Sequence, residues 1–391
     1  MRPDARVQAA IDVLGRWLNA EQPVERILAD WGRSNRYAGS GDRRAIADLV
    51  YDAIRRKRSA AWLSGSEDAR GVILGSLIAN QSDAEALFSG SGHGAEKLSR
   101  TERQAVLAPA ALTAAPWGVR VDLPDWLEPE VNGLDEAPLV QLKERAPLDL
   151  RVNRLKSDPD TALARLAEED ISARSGPLTP DCLRVVAGAH RIHRSKAYLD
   201  GLVEIQDAAS QAGALFADVR PGETVLDFCA GGGGKTLALA AMQQGCGRLE
   251  AFDISSARLS QIPDRARRAG ASVTLLNKDD LVAREGQFDC VFVDAPCSGS
   301  GAWRRTPEAK WRLTPEGLGE LRDQQLRIMT SAMAYVAEEG RLIYATCSLF
   351  KSENGDQVRR FDSSDHRLSL QMSHSWTDLR DGDGFYAANL S

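Results

Sequence analysis

No stretch of this 391-residue chain is apolar for long enough to cross a bilayer, which takes about 18 residues. The opening Met1-Arg2-Pro3-Asp4 is polar and charged and lacks the apolar region of a secretory signal. Neither a membrane protein nor an exported one is expected. Cysteine is sparse: six residues, scattered, with no Cys-x-x-Cys pair. That spacing argues against a disulfide framework or a zinc centre, so no metal site is expected and a reducing cytoplasm is the expected compartment. Positive charge is not in excess either. With a net charge of -6, any nucleic-acid surface has to be a local patch. No repeat of solenoid period is visible. What is present is ordinary globular material, 43% hydrophobic and 27% charged, enough for two or three domains with separate cores.

The chain divides by periodicity. Residues 1–82 read as helical. Val7, Ala10, Ile11, Leu14 and Leu18 recur at helical spacing, followed by Val24, Ile27, Leu28 and Trp31. A third helix is predicted from Asp42 as N-cap, with Ile46, Leu49, Val50 and Ile54 on one face and Arg55-Arg56-Lys57-Arg58 at its end. That basic run reads either as a solvated helix end favoured by the dipole or as a phosphate-contacting edge. Residues 83–135, rich in Ser, Gly and Ala up to Trp117, read as a weakened last helix followed by a linker and connecting segment, in which Pro124-Asp125-Trp126-Leu127 opens the next element. Residues 136–209 read as a small α+β unit. Its predicted strands are Leu148–Asn153, Cys182–Val186 and Leu202–Ile205, with a helix over Thr161–Glu168.

From 210 to 391 the pattern alternates between strand and helix. Predicted strands are Thr224–Cys229, Leu249–Asp253, Val273–Leu276, Cys290–Val293 and Leu342–Tyr344. Helices are predicted over Lys235–Met242, Ser255–Ala269 and Glu316–Glu338. Such alternation implies a parallel sheet with helices on both faces. Leu368–Leu370 and Phe385–Ala388, around the Asp381–Gly384 turn, suit an antiparallel pair closing one sheet edge.

The first strand of this region leads into Asp227-Phe228-Cys229-Ala230-Gly231-Gly232-Gly233-Gly234-Lys235-Thr236. Glycines there let backbone N–H groups approach a ligand at a helix N-terminus. A phosphate-binding P-loop is disfavoured, because the first glycine of G-x-x-x-x-G-K-[ST] would fall at Cys229. A dinucleotide site and a plain tight turn stay open. Asp253, ending the second strand, favours an adenosine-containing ligand because it can bond ribose hydroxyls.

Two further stretches carry the chemistry: Asp294-Ala295-Pro296-Cys297-Ser298 and Tyr344-Ala345-Thr346-Cys347-Ser348. Each sets a cysteine just past a predicted buried strand, where open parallel sheets collect ligands. A nucleophile with a helper thiol suits methylation of a pyrimidine carbon, a reaction that needs a covalent handle on the base. The side chains of Cys182, Cys229, Cys246 and Cys290 read as inert. Arg304, Arg305, Lys310 and Arg312, interleaved with Trp303 and Trp311, read either as an RNA surface of phosphate-binding cations and stacking rings or as a charged loop holding two core tryptophans.

Together these motifs resemble the S-adenosylmethionine-dependent RNA 5-methylcytosine methyltransferases of the Nol/Nop/Sun group, within it the bacterial small-subunit rRNA branch with a NusB-like helical N-terminus. The group's loop reads Asp-x-Cys-Ala-Ala-Pro-Gly-Gly-Lys-Thr; here Gly231 and Gly232 replace Ala and Pro, adding backbone freedom. Asp-Ala-Pro-Cys-Ser and Thr-Cys-Ser are unaltered. Arg151-Val152-Asn153-Arg154, Gln206–Ser210, Trp303–Pro307, Lys310-Trp311 and Asp383–Tyr386 match further segments of the group, and coverage is strong from about Pro147 onward. Before that it rests on Gly41–Arg44 and Leu49–Tyr51.

The resemblance implies a Rossmann-like class I methyltransferase domain with a mixed seven-stranded sheet behind a small RNA-binding subdomain. It assigns the nucleophile to Cys347, release of the product to Cys297, and the base edge to Asp294. Cys229, Ala230, Gly231, Gly232, Gly233, Gly234 and Lys235 would hold the methionine end of the cofactor, Asp253 the ribose and Asp279 the adenine side, with Asp294 also at the cofactor and Asp280 the alternative to Asp279. Lys235 would either neutralise a carboxylate or stand solvated in the first turn of its helix. Arg151, Asn153, Arg154, Arg304, Arg305 and Lys310 would meet RNA. Small-subunit ribosomal RNA is the expected partner and a monomer the expected state. A catalytically silent RNA-binding or assembly factor is the rival reading. A DNA cytosine methyltransferase is a third, weakened by the cysteine after Thr346.

Overall fold

The computed structural model describes residues 1–363 and 367–391. They form two compact units: Met1–Arg145 with Trp303–Arg312, and Ala146–Ala302 with Leu313–Ser391.

The first unit is helical. Pro3–Leu18, Val24–Ser34 and Ser40–Arg55 are followed by Lys57–Ser64 and Ala69–Ala79. The predicted apolar stripes converge on one core that contains Val7, Ala10, Leu14, Ile27, Ile46, Val50 and Ile54. Asp42 is not the N-cap of the third helix. It lies in the first turn and accepts the Gly39 N–H at 3.1 Å, as the carboxylate of a capping box does. Ala69–Ala79 escapes the pattern reading because Val72, Ile73, Leu74 and Leu77 are all buried and leave no polar face. The segment read as a linker carries Ala84–Leu87, Arg100–Leu107 and Trp117–Arg120 and belongs to this unit through Arg145.

The second unit opens with a four-stranded sheet in the order β2-β3-β1-β4: β1 Asp149–Val152, β2 Ser172–Ser175, β3 Cys182–Ala187 and β4 Val203–Ile205. Helix Pro159–Ala167 contributes Ala162 and Leu166 to its core. β2 is a polar, largely exposed edge strand, which is why hydrophobic alternation does not announce it.

The large sheet runs β10-β11-β9-β8-β5-β6-β7. Its strands are β5 Thr224–Asp227, β6 Arg248–Ala251, β7 Thr274–Leu275, β8 Phe288–Asp294, β9 Val336–Thr346, β10 Leu370–Trp376 and β11 Phe385–Leu390. β5 to β9 are parallel to their neighbours, while β11 pairs antiparallel with β9 and β10 antiparallel with β11. The mixed seven-stranded α/β fold is therefore present. β8 is buried at Phe288 and from Cys290 to Val293, the continuous apolar run of a strand covered on both faces.

Two predicted helices change shape. Ser255–Ala269 breaks into Ser256–Leu259 and Ile262–Ala269, because Pro263 fits only in a first turn. The long helix is Pro315–Met333, and β9 already starts at Val336. Ala337-Glu338-Glu339 favours a helix locally, but β9 pairs with β8 at Val336 and again from Arg341, which holds the residues between as an irregular stretch of strand.

Candidate active site

The C-terminal edge of the parallel strands, read from β7 to β9, carries the expected residues in order. Asp279 follows β7, Asp253 follows β6, the glycine loop follows β5, Asp294 ends β8 and Cys347 follows β9. Register places Asp227 beside Phe292 and Asp294 beside Ala345, so the loops leave the sheet at nearly one level. This is the crevice in which open α/β sheets hold ligands.

The glycine loop is pinned from two sides. Gly231 and Gly233 adopt φ of 54° and 86°, a region costly to residues with a Cβ. The Gly231 N–H donates to Asp253 Oδ2 at 2.8 Å, and Asp253 Oδ1 accepts from Ser255 N–H at 2.7 Å and Arg258 at 3.1 Å. Helix Gly234–Met242 starts directly after the loop, so its first N–H groups face the crevice. Beneath it Asp227 is fully buried. Its Oδ2 accepts the Thr236 hydroxyl at 2.6 Å, and its Oδ1 has no hydrogen-bond partner. At the far end Asp280 caps the Asn277 N–H at 3.3 Å, which sets it apart from its neighbour Asp279.

Lys235 donates to Asp294 Oδ2 at 2.6 Å and lies 5.1 Å from the centre of the Phe385 ring. It neutralises a carboxylate rather than standing solvated. Burial lowers its pKa, but the charge of Asp294 and the hydrogen bond to it outweigh that, and the net shift is upward.

The two cysteines come together. Cys297 Sγ and Cys347 Sγ are 3.5 Å apart, within hydrogen-bonding reach for sulfur and far outside disulfide length. The hydrogen bond with Cys347, burial, and the charges of Cys347 and Glu353 hold the Cys297 thiol well above its ordinary value. Backbone bonds fix the frame: Ala295 N–H to Ala345 O at 2.9 Å, Gly301 N–H to Cys347 O at 3.0 Å, and Gly384 N–H to Gly301 O at 3.0 Å. Burial pushes the thiols of Cys182 and Cys290 up to about 12 and raises that of Cys229, as inert cysteines require.

Sequence reading missed Glu353 and Gln325. Glu353 is fully buried and accepts from Ser298, Ser348 and Gln325, while Gln325 also donates to Pro296 O at 3.0 Å. No motif marks either residue, since their partners lie up to 55 positions away.

Four of the six expected RNA residues, Arg151, Asn153, Arg304 and Lys310, are buried. Lys310, Trp303 and Arg304 are buried in the first unit. Lys310 Nζ donates to Arg55 O at 2.7 Å, Trp311 Nε1 to Ile54 O at 2.8 Å, and Arg304 O accepts from Arg55 Nε at 2.9 Å. Burial brings the Lys310 pKa down to about 7. The loop is thus the charged loop with core tryptophans, and only Arg305 and Arg312 among its cations are exposed. The basic run of the third helix is likewise tied down. Arg55 pairs with Asp52, Arg56 with Glu144 and Arg58 with Asp125.

In the second unit Arg151 is buried against Gln206 (2.6 Å). Buried Asn153 donates to Gly201 O at 2.8 Å and Ala269 O at 2.7 Å, joining the small sheet to a helix of the large one. Both side chains, expected to meet RNA, spend donors on these internal bonds. Arg154 is exposed, 3.6 Å from Asp181. Asp207 caps helix Ala208–Leu215 and also accepts the Asp383 N–H at 3.0 Å, which links two of the matched motifs.

Comparison with known proteins agrees with this layout. Residues 214–391 match the family described as 16S rRNA methyltransferase RsmB/F, and residues 136–190 match the RsmF/B-like ferredoxin-like domain. The ribosomal RNA small subunit methyltransferase B of Klebsiella pneumoniae subsp. pneumoniae is 33% identical over 262 residues, 63% of this chain and 60% of that protein. That of Sodalis glossinidius is 32% identical over 283 residues, 68% of this chain and 65% of its own length. The chain thus spans less than two thirds of the curated relatives it matches. Among solved structures, PH0851 aligns with a TM-score of 0.74 at 23% identity, covering 100% of this chain and 99% of its own. NSun6 from Pyrococcus horikoshii with SFG aligns with a TM-score of 0.60 at 18% identity, covering 68% and 97%. At these identities the likeness to both structures is one of fold.

Proposed function

We propose a function on one premise: across residues 136–190 and 214–391 this chain belongs to the 16S rRNA methyltransferase RsmB/F family. It is an S-adenosylmethionine-dependent RNA cytosine-C5 methyltransferase, and its substrate is small-subunit ribosomal RNA. The observation that carries this reading is the pair of free thiols 3.5 Å apart at the ends of β8 and β9, beside the Lys235–Asp294 ion pair. Unbridged cysteines at that distance fit a reducing cytoplasm as the place of action.

The donor set fits the cofactor. The left-handed glycines and the helix N-terminus leave room and N–H groups for its methionine end, from Cys229 to Lys235. Asp253, whose Oδ2 meets the loop at the Gly231 N–H while Oδ1 is held by Ser255, suits ribose hydroxyls, and exposed Asp279 suits the adenine side. When bound, S-adenosylmethionine would supply to C5 an electrophilic methyl group from a sulfonium, the pair of the broken methyl–sulfur bond leaving with the neutral thioether.

The residues divide the work around the cytosine. The Cys347 thiolate adds to C6, forming an S–C6 bond and placing the electron pair on C5, which becomes a nucleophile. Asp294, held by Lys235 and with 29% of its side chain exposed, hydrogen-bonds the N3/N4 edge and offsets the charge that develops there. Two thiols this close do not both ionise readily. Once Cys347 is bonded to carbon its charge is gone, and Cys297 is freed to ionise. Its thiolate takes the C5 proton, the S–C6 bond breaks, and the pair returns to Cys347 as the double bond reforms. C5 and C6 are stacked in a duplex, so the target base has to be unstacked.

The test is transfer of labelled methyl to ribosomal RNA, with bisulfite sequencing of the product. Cys347→Ala is expected to fall to background while retaining the wild-type melting temperature. Cys297→Ala is expected to accumulate a protein–RNA adduct that survives a denaturing gel. Turnover by Cys347→Ala, or absence of the adduct, overturns the assignment of the corresponding cysteine. A wild-type protein that binds RNA without transferring methyl returns the assembly-factor reading.

A further inference from the structure

Glu353 sits at the end of a single helical turn, Lys351–Glu353, just beyond the second cysteine loop, and is fully buried. Its Oε1 accepts the Ser298 N–H at 2.8 Å and Gln325 Nε2 at 3.0 Å. Its Oε2 accepts the hydroxyls of Ser298 and Ser348, each at 2.5 Å. Ser298 follows Cys297 and Ser348 follows Cys347, so one carboxylate grips both cysteine loops at the next residue. The grip is reinforced around it. Tyr344 hydroxyl donates to Glu353 O at 2.7 Å, and Asn354 bridges the Thr346 hydroxyl (2.6 Å) and Ser348 O (2.9 Å).

All four groups that donate to this carboxylate, one backbone N–H and three side-chain groups, are neutral. A buried charge without a counter-ion is expensive, and serines could be joined by an uncharged acceptor at lower cost. The charge is also placed unequally. It takes up the backbone N–H next to Cys297, whereas it reaches the Cys347 loop only through a side-chain hydroxyl.

We propose that Glu353 is a positioning residue of the two-cysteine centre: it clamps both loops at one separation and, by its charge on the Cys297 side, reserves the nucleophile's role for Cys347. The proposal rests on the methyltransferase reading above and deepens it. The groups facing the sulfurs work in the same direction. Glu353 and Cys347 both disfavour charge on Cys297, the Gly299 N–H opposes them, and buried Tyr344 is neutral. The cation of Lys235, paired with Asp294, interacts with Cys347.

The test is alkylation of the cofactor-free full-length protein by iodoacetamide between pH 6 and pH 9, with each cysteine quantified by peptide mass spectrometry. In the wild type, Cys347 is expected to react first at every pH. Glu353→Gln keeps an acceptor and removes the charge, so the Cys297 share of early alkylation is expected to rise and its profile to move toward lower pH. Methyl transfer by this variant is expected to fall about ten- to a hundredfold. Glu353→Asp keeps the charge and is expected to restore the preference for Cys347 in part. Ser298→Ala with Ser348→Ala loosens the clamp while leaving the charge, and is expected to slow transfer with the alkylation order unchanged. A Glu353→Gln protein that melts normally and still alkylates in wild-type order overturns the proposal. Should that variant not fold, Glu353→Asp and the serine pair decide it, and reversal of the order in either overturns it. A wild type that fails to methylate, with the alkylation order as expected, defeats the enzymatic reading and leaves the clamp standing.

Discussion

Asp227 holds a carboxylate where water cannot reach it, with one oxygen on Thr236 and the other unpartnered. Burial, opposed by the Thr236 hydrogen bond and helped by the charge of Asp294, pushes its pKa from the ordinary 3.8 up to about 7. The folded state therefore binds a proton that the unfolded state has released between those two values. Stability falls as pH rises through that window and levels off above it. Asp227→Asn removes the titration and keeps the size. The difference in melting temperature, variant minus wild type, is expected to grow more positive from pH 5 to pH 8. A difference that stays flat over that range contradicts the raised pKa. At this scale the sequence was legible wherever chemistry sits in a short motif. Cys297, Cys347 and Asp294 lie within a few residues of the strand end that presents them, and Lys235 in the first turn of the helix that follows the glycine loop. Glu353 and Gln325 were illegible because their meaning lies entirely in tertiary hydrogen bonds. Lys310 and Asn153 misled because a polar letter carries no record of being buried.

Elements place these side chains by close backbone approach. Gly301, after the Cys297 loop, donates to Cys347 O and accepts from Gly384, and a Cβ there would lie 2.1 Å from Gly384 O. The cysteine loops and the start of β11 are thus stitched at a point that tolerates no side chain. Gly301→Ala is expected to cost about 1–3 kcal/mol of stability and to slow methyl transfer, through displacement of the cysteine loops rather than any lost chemical group. Thermal unfolding and single-turnover kinetics check it, and a variant with wild-type values in both would mean that the backbone yields freely. Strands buried on both faces, such as β8, were readable from their apolar runs. β2 and β10 were read poorly or not at all, because an exposed edge strand has no hydrophobic period to read. The end of helix Pro315–Met333 was misplaced for a different reason, since strand pairing overrode a local helical preference.

For the molecule as a whole, the boundary between compact units does not follow chain order. Residues 1–145 are completed by Trp303–Arg312, a segment that leaves the second unit just after the first cysteine loop and returns to it at Leu313. The tie is specific: Trp17 Nε1 and Val24 N–H both donate to Glu308, Lys310 to Arg55 O, and Trp311 to Ile54 O. Periodicity could not anticipate this, because two tryptophans among four cations look locally like a nucleic-acid surface. The consequence concerns whether the N-terminal helices are dispensable. A chain beginning at Ala146 would strip the cover from Trp303, Lys310 and Trp311. Each large apolar side chain exposed in this way forfeits roughly 1.5–3 kcal/mol, and the result is a contiguous sticky patch. Such a truncated protein is expected to aggregate or to bind a hydrophobic dye strongly, and to melt with reduced cooperativity. Replacing Trp303 and Trp311 by glutamine in the same truncated chain is expected to recover soluble protein. If the truncated chain instead remains monomeric, dye-silent and sharply melting, the segment has an alternative packing within the second unit, and the helices are an appendage rather than part of the segment's support.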